Sequence, residues 1–332
     1  MILYFSATGN SLHVAARLAR ATGEAYADMA EALRTGRLRC RLRPDERLGI
    51  VTPVYFWGLP EAVATFLWLM DIEVVPPEAA KDTATGLVAE PAAMPPGWPH
   101  TTTAGWRARH RTVRHAQTDT SDEGGKGKDG QGMGTTSAAP MPYIYCVLTY
   151  GTSTGGAAAQ IARAMGRHGW RLQGRFRVRM VDVWTPLFDL TDRARCLSRT
   201  RRAEAQIDRT ARAVSRRAPS AGADPTALPR WLAALQYWLY RPMRRTARFH
   251  LAPSRCTGCG LCAARCPDRA ITMRPAPGGE PHWTKPRCQL CLRCLHHCPA
   301  FAIQYGGHTA HHGQFVHPDE PRDERGRQAQ GG

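Results

Sequence analysis

Eight cysteines fall in two copies of one pattern. Cys256, Cys259, Cys262 and Cys266 are followed by Pro267, and Cys288, Cys291, Cys294 and Cys298 by Pro299. The motif C-x2-C-x2-C-x3-C-P thus occurs twice, 32 residues apart. The repeat outlasts the cysteines, because Ala270-Ile271 recurs as Ala302-Ile303, the mark of an internally duplicated cysteine loop plus short strand. Thiolates two residues apart wrap backbone around one face of an iron–sulfur cubane, and the cysteine before proline turns aside to reach the other cluster. The spacing therefore predicts one [4Fe–4S] cluster on Cys256, Cys259, Cys262 and Cys298, and a second on Cys288, Cys291, Cys294 and Cys266. Structural zinc favours two close pairs, not triplets closed by Cys-Pro. The letters "GCGLCA" (258–263) match part of a dinucleotide fingerprint, but no strand precedes them and their cysteines are already used.

The remaining cysteines fit other roles: Cys146 alternates within an apolar strand as a core residue, and Cys40 and Cys196 read as free thiols. His296 and His297, flanking Cys298, are expected to face solvent. His308, His311, His312 and His317 read as part of a polar terminal segment in preference to a metal site, with the polar tail expected over 311–332.

A second candidate site opens the chain. "FSATGNSLHVA" (5–15) passes from an apolar strand through small hydroxylic residues into a helix with Leu12, Ala15, Ala16 and Leu18 on one face. Strand, polar loop and helix start make an anion site, because the first turn of a helix offers unpaired N–H groups and a positive dipole end. No lysine follows Gly9, and the loop fits neither the nucleotide-hydrolase pattern nor G-x-G-x-x-G. What remains is a seat for a phosphate monoester on Ser6, Thr8, Gly9, Asn10 and Ser11. An N-cap rich in hydroxyls is the plain structural alternative.

Elements that would position this loop follow in order. Apolar strands are expected over Met1–Phe5, near Ala25, from Arg47 through an aromatic end at Trp57, from Tyr143, and over 176–183. Helices are expected over 10–21, from Pro60, over 157–166 and over 199–217. This alternation predicts an α/β unit over 1–217, a doubly wound parallel sheet of five strands. In such sheets a ligand lies beyond the carboxyl ends of the strands. Three loops meet there: Ser6–Ser11, "PVYFWGLP" with Pro53, Tyr55, Phe56, Trp57 and Gly58, and "TYGTSTGG" with Thr149, Tyr150 and Gly151. A phosphate grip with aromatic and glycine loops beside it describes a flat ring on a phosphorylated tail, which is FMN.

The segment 76–142 is dominated at its centre by Gly, Ser, Thr and charge, and reads as a disordered insertion that cannot offset its ordering entropy. Its Trp98, Trp106, His110 and His115 are assigned no site. Residues 218–248 read as a helical linker and 249–310 as a small α+β domain holding the cysteines.

"FSATGNS" resembles the flavodoxin phosphate loop, and "PVYFWGLP" the second FMN loop of flavodoxins. The chain outside 76–142 resembles bacterial flavodoxin–ferredoxin fusion proteins, and "PHWTKPRCQLCLRCLHHCPAFAIQYGGHT" with "FVHP" is similar to that group's ending. The resemblance implies a flavodoxin-like domain with FMN, a bacterial ferredoxin-like domain with two [4Fe–4S] clusters, and electron transfer to a redox partner. Two departures stand out: flavodoxins are typically acidic, and the long insertion follows the second FMN loop.

Charge and composition bound the rest. The 332 residues suffice for two domains, and 45 Lys and Arg against 27 Asp and Glu give +18. A field of that sign favours an acidic partner, whether nucleic acid, anionic lipid or an acidic redox protein, with basic residues on solvated faces as the plain alternative. Nucleic acid is not expected, since no basic cluster is interleaved with stacking aromatics. Met1 leads directly into a strand, no apolar run is long enough to span a membrane, and eleven cysteines without an export signal point to thiolate chemistry in the cytoplasm. The segment 231–245 (WLAALQYWLYRPMRR) reads as a packed inter-domain helix in preference to a peripheral membrane contact. No acid/base pair or nucleophile stands out, so no catalytic residue is named. A flavin-dependent reductase with its own small substrate, fed through the clusters, is the alternative function. A basic nucleic-acid-binding protein with structural clusters is a third.

Overall fold

A computed structural model describes residues 1–76, 86–88, 141–220, 224–275 and 279–321. The N-terminal elements are β1 (Ile2–Tyr4), α1 (Asn10–Thr22), β2 (Tyr26–Asp28), α2 (Met29–Thr35), β3 (Arg39–Leu42), β4 (Arg47–Pro53), α3 (Glu61–Leu69), β5 (Asp71–Val74), β6 (Gly86–Val88), β7 (Tyr143–Tyr150), α4 (Ala157–Arg167), β8 (Gly174–Arg179) and α5 (Arg193–Ser215). Five of these strands form one parallel sheet in the order β2-β1-β4-β7-β8. β4 and β7 are its centre, and all eight residues of β7 are buried. That explains its nearly unbroken apolar run, as expected where both faces of a parallel sheet are covered.

Each face has its own core. Leu3, Phe5, Leu48, Ile50 and Cys146 pack beneath α2, α3 and α4. Ile2, Val51, Tyr145 and Val147 pack beneath α1 and α5. The chain is therefore α/β with helices on both faces. Gly49, opposite Tyr145 in the β4–β7 register, has no room for a side chain: an added Cβ would press into the Tyr145 ring and hydroxyl. Gly49→Ala is expected to destabilise the sheet by roughly 1–3 kcal/mol through overpacking, measured by chemical denaturation.

Two expectations need correction. The insertion assigned to 76–142 contains β6, which pairs antiparallel with β3 in a separate sheet, β5-β3-β6. The rest of that assignment, 77–85 and 89–140, with Trp98, Trp106, His110 and His115, lies outside the described residues. Helix α5 starts at Arg193 and not near Arg199, because the Asp192 side chain caps it by accepting from the Arg195 N–H at 2.9 Å.

The C-terminal elements are α6 (Arg230–Met243), β9 (Phe249–Leu251), α7 (Leu261–Ala264), β10 (Ile271–Met273), β11 (Pro281–Trp283), α8 (Arg293–His296), β12 (Ile303–Tyr305) and α9 (Thr309–His312). Helix α6 packs only one side: Ala233 and Tyr240 are buried, whereas Trp231, Leu235, Trp238 and Leu239 are exposed. The packed linker helix expected there is thus packed on one face. Among the described residues no helix is long and apolar enough to cross a membrane.

The duplication is visible in three dimensions. β9 and β11 are equivalent, as are α7 and α8, and β10 and β12, each 32 residues apart. The halves exchange partners: β9 pairs with β12, and β10 with β11. Arg265 and its equivalent His297 meet between the halves, Arg265 Nη1 lying 2.6 Å from His297 Nδ1.

The polar tail expected over 311–332 also needs correction. Residues 313–321 fold back as a strap across both parts of the molecule, with Phe315, His317 and Glu320 buried. Gln314 Nε2 donates to the carbonyls of Leu295 and Cys298 at 2.5 and 2.9 Å, and the His317 N–H to Thr8 O at 2.8 Å. Phe315 supplies the apolar anchor, against Val181, Leu190 and Cys196.

Candidate functional site

The repeat builds two similar thiol frames. Gly258 and Gly260 have φ of 67° and 72°, and their equivalents Leu290 and Leu292 have 55° and 56°. Arg269 and Phe301 match at 48° and 49°. Left-handed backbone at non-glycine residues costs conformational energy, so the second frame keeps the loop geometry against its side chains. The prolines after Cys266 and Cys298 stop each short helix, and the turns beyond aim N–H groups at sulfur. Ala270 N–H donates to Cys266 Sγ at 3.3 Å, and Ala302 N–H to Cys298 Sγ at 3.2 Å. Leu290 N–H donates to Cys288 Sγ at 3.4 Å.

The cysteines gather across the repeat. Cys256, Cys259, Cys262 and Cys298 line one small cavity, together with Leu251, Met273 and Ile303. Burial pushes the Cys262 thiol up to about 12, and Cys298, Cys259 and Cys256 add to the rise. Burial likewise raises Cys288 to about 12 and Cys291 further, with Cys266 and Cys288 contributing to Cys291. Cys294 is raised by burial and then by Cys291, Cys288 and Cys266. Thiols so placed stay protonated at neutral pH unless a metal takes the place of the proton. The donor set, all sulfur with N–H groups aimed at it, fits an iron–sulfur cluster.

His296 and His297 do not face solvent, contrary to expectation. His296 Nε2 donates to Val183 O at 2.9 Å while its Nδ1 accepts from the Phe315 N–H at 3.3 Å. Burial holds its pKa down at about 4. His297 Nε2 lies 3.0 Å from Ala7 O. Burial, then Arg265 and Arg293, hold its pKa at about 3. Both imidazoles are neutral struts between the cysteine domain and the α/β unit. Their flanking position beside Cys298 carried no sign of this, since the partners come from distant parts of the chain.

Further struts surround Gln289. Its Oε1 accepts from the Ala62 N–H at 3.1 Å, capping α3, whose N-terminal Pro60 has no side-chain cap to offer. Its Nε2 donates to Asp268 Oδ1 at 3.1 Å. Arg244 pairs with Glu61, and its Nε donates to Cys288 O at 2.7 Å.

The three loops expected to gather at the carboxyl ends of the strands do so. Ser11 Oγ and Thr149 Oγ1 are 2.8 Å apart. Val54 N–H donates to Thr149 O at 3.1 Å, and Gly156 N–H to Trp57 O at 2.7 Å. They flank the point where strand order reverses between β1 and β4, the usual crevice of open α/β sheets. Ser6, Thr8, Asn10 and Ser11 are all buried, and Gly9 has φ 86°. α1 has no side-chain N-cap bond, and the Ser6 hydroxyl has no partner.

The aromatic loop is arranged differently from expectation. Tyr55 and Gly58 exchange backbone hydrogen bonds at 2.9 Å, forcing Phe56 and Trp57 to φ 47° and 61°. Phe56 turns away from the crevice to stack on Tyr240, with ring centroids 4.3 Å apart, and meets Trp184 edge-on. Trp57 packs its backbone against Gly155, where a Cβ would collide with it. Tyr55 is edge-on to Phe5 at 6.3 Å. In the third loop Tyr150 is buried, and Gly151 O accepts from Arg179 Nε at 2.9 Å. Pro53 ends β4 and Gly58 closes the tight loop.

Residues 255–302 match the family model described as a 4Fe-4S dicluster domain. The C-terminal part of the chain is therefore a ferredoxin-like iron–sulfur domain, and it gives the protein an iron–sulfur cofactor and a part in electron transfer. No curated protein and no solved structure matches the chain.

Proposed function

We propose that this protein carries electrons between two [4Fe–4S] clusters and an FMN, and onward to an acidic redox partner. Cys256, Cys259, Cys262 and Cys298 hold one cluster, and Cys288, Cys291, Cys294 and Cys266 the other. The observation that carries this is the grouping of Cys298 with the first three cysteines around one cavity. Such a crossed set is what two adjacent cubanes require.

The FMN rests on a flavodoxin-like reading of the α/β unit. Its sheet order corresponds to the flavodoxin-type doubly wound order once the small second sheet is set aside. The loop Ser6–Ser11 supports a phosphate through an uncapped helix start and an unpartnered buried hydroxyl. Thr149, Tyr150 and Gly151 and the loop from Pro53 to Gly58 border the same crevice, while Phe56 serves instead as a contact to Tyr240. When bound, FMN supplies exchange of one or two electrons, whereas each cluster passes one. The net charge of +18 favours an acidic partner.

Anaerobic purification followed by reconstitution is expected to yield about eight iron atoms, about eight sulfides and about one FMN per chain. Zinc in place of iron overturns the cluster reading. A chain with full iron that takes up no FMN overturns the flavin reading alone.

A further inference from the structure

The Ser6–Ser11 loop has no lysine of its own, yet positive charge reaches it from the iron–sulfur domain. His297 Nδ1 lies 2.6 Å from Arg265 Nη1, a donor only, so Nδ1 accepts and Nε2 carries the proton given to Ala7 O. His297 thus ties the loop to Arg265. Between the loop and the arginines stands the carboxylate of Glu320 in the strap. Its Oε1 lies 3.7 Å from Arg265 Nη1, 4.0 Å from Arg293 Nη2 and 3.5 Å from His297 Nε2. Its Oε2 sits 2.5 Å from where a Cβ on Gly9 would be, at the start of α1.

This carboxylate is a poor occupant. Glu320 is buried, its Oε2 has no hydrogen-bond partner, and neither does the Ser6 hydroxyl of the loop or Arg293 Nε. Buried polar groups are normally paired, so the arrangement is incomplete as it stands. Burial pushes the Glu320 carboxyl up to about 7, although Arg293 and Arg265 pull it down; Asp28 adds to the rise. Returning this side chain to water recovers hydration that the two arginines do not replace. The strap also holds the loop and α1 through the His317 N–H to Thr8 O, Asp319 Oδ2 3.0 Å from His13 Nδ1, and the His317 ring stacked on His13.

We propose that Arg265 and Arg293 of the iron–sulfur domain complete, with the Ser6–Ser11 loop, a seat for a phosphate monoester, and that Glu320 is its intramolecular occupant, displaced when the phosphate enters. A phosphate brings three acceptor oxygens where the carboxylate brings two. It can therefore meet the loop N–H groups, the Ser6 hydroxyl and both guanidinium groups together. His297 is a positioning residue that holds Arg265 to the loop. The identity of the phosphate as that of FMN rests on the flavin reading above; the seat itself does not.

The test uses the full chain with its clusters reconstituted, and calorimetric titration with inorganic phosphate, FMN and riboflavin in separate runs. Glu320→Gln is expected to tighten inorganic phosphate binding by about tenfold, and Arg293→Gln to weaken it by about tenfold or more, with Arg293→Lys recovering part of the loss. Arg265→Gln is the second charge variant and should weaken binding in the same direction. Cluster absorbance shows that each variant is folded. Phosphate affinity unmoved by Glu320→Gln and by both arginine changes overturns the proposal. If phosphate responds as described but no variant binds FMN, the seat stands and the flavin reading falls. If FMN and riboflavin bind equally and ignore all these substitutions, the flavin reading stands and the seat falls.

Discussion

Replacing Cys298 by alanine is expected to remove the cluster held by Cys256, Cys259 and Cys262, and to leave the neighbouring one in place. Iron falls from about eight to about four atoms per chain, with the surviving centre retaining its own spectrum. The reverse variant, Cys266→Ala, removes the cluster of Cys288, Cys291 and Cys294. The two losses follow from the exchange between halves, in which β9 pairs with β12 and Cys298 lines the first cavity. Iron analysis with electron paramagnetic resonance after reduction separates the cases. If Cys298→Ala instead abolishes the signal that Cys291→Ala abolishes, each half binds its own cluster and the crossed assignment is wrong.

Stripping the clusters should have a larger and more local effect on structure. The iron–sulfur domain has strands of three residues and helices of four residues between β9 and α9. Its core of Phe249, Ile271, Leu290, Leu295, Ile303 and Tyr305 is interleaved with Cys262, Cys266, Cys288 and Cys294. Elements so short have little stability of their own, and eight uncoordinated thiols give nothing to replace metal bonding. Oxidative chelation is therefore expected to abolish amide-exchange protection across residues 249–315. β4, β7 and the helices around them should keep theirs, since their two cores do not depend on the cysteines. Hydrogen-exchange mass spectrometry reads the two regions separately. Protection that survives throughout 249–315 after complete iron loss would show a domain that folds without metal.

The parts legible in the sequence are those with local causes. The cysteine triplets announce their chemistry because cubane geometry dictates both the two-residue spacing and the turn at the proline. Strands β1, β4 and β7 are legible because they are apolar runs buried in the sheet and followed by helix signals. Long-range causes leave weaker traces. Strand β6 lies in a stretch of low apolar content and exists by pairing with β3. Leu290 and Leu292 adopt left-handed backbone where the first half has glycines, a conformation enforced by the duplicated loop and invisible in their residue types. Phe56, read as a flavin neighbour, answers to Tyr240, almost 200 residues further along the chain. His317 and Glu320 look like tail residues because nothing near them in sequence explains their burial. The explanation is Gly9, whose missing side chain leaves the space they fill.

The duplicated iron–sulfur unit is docked by one half more than the other. His296, His297 and Gln289, all in the second half, hydrogen-bond to Val183, Ala7 and Ala62, and the Arg293 charge reaches Tyr4. The Cys291 thiol is close enough to Tyr55 to help raise that phenol's pKa. Two nearly interchangeable frames thereby acquire different surroundings, because the second abuts the α/β unit. Ancestral symmetry has become a terminal polarity. Two thiol frames of like sequence are thereby set in unlike surroundings.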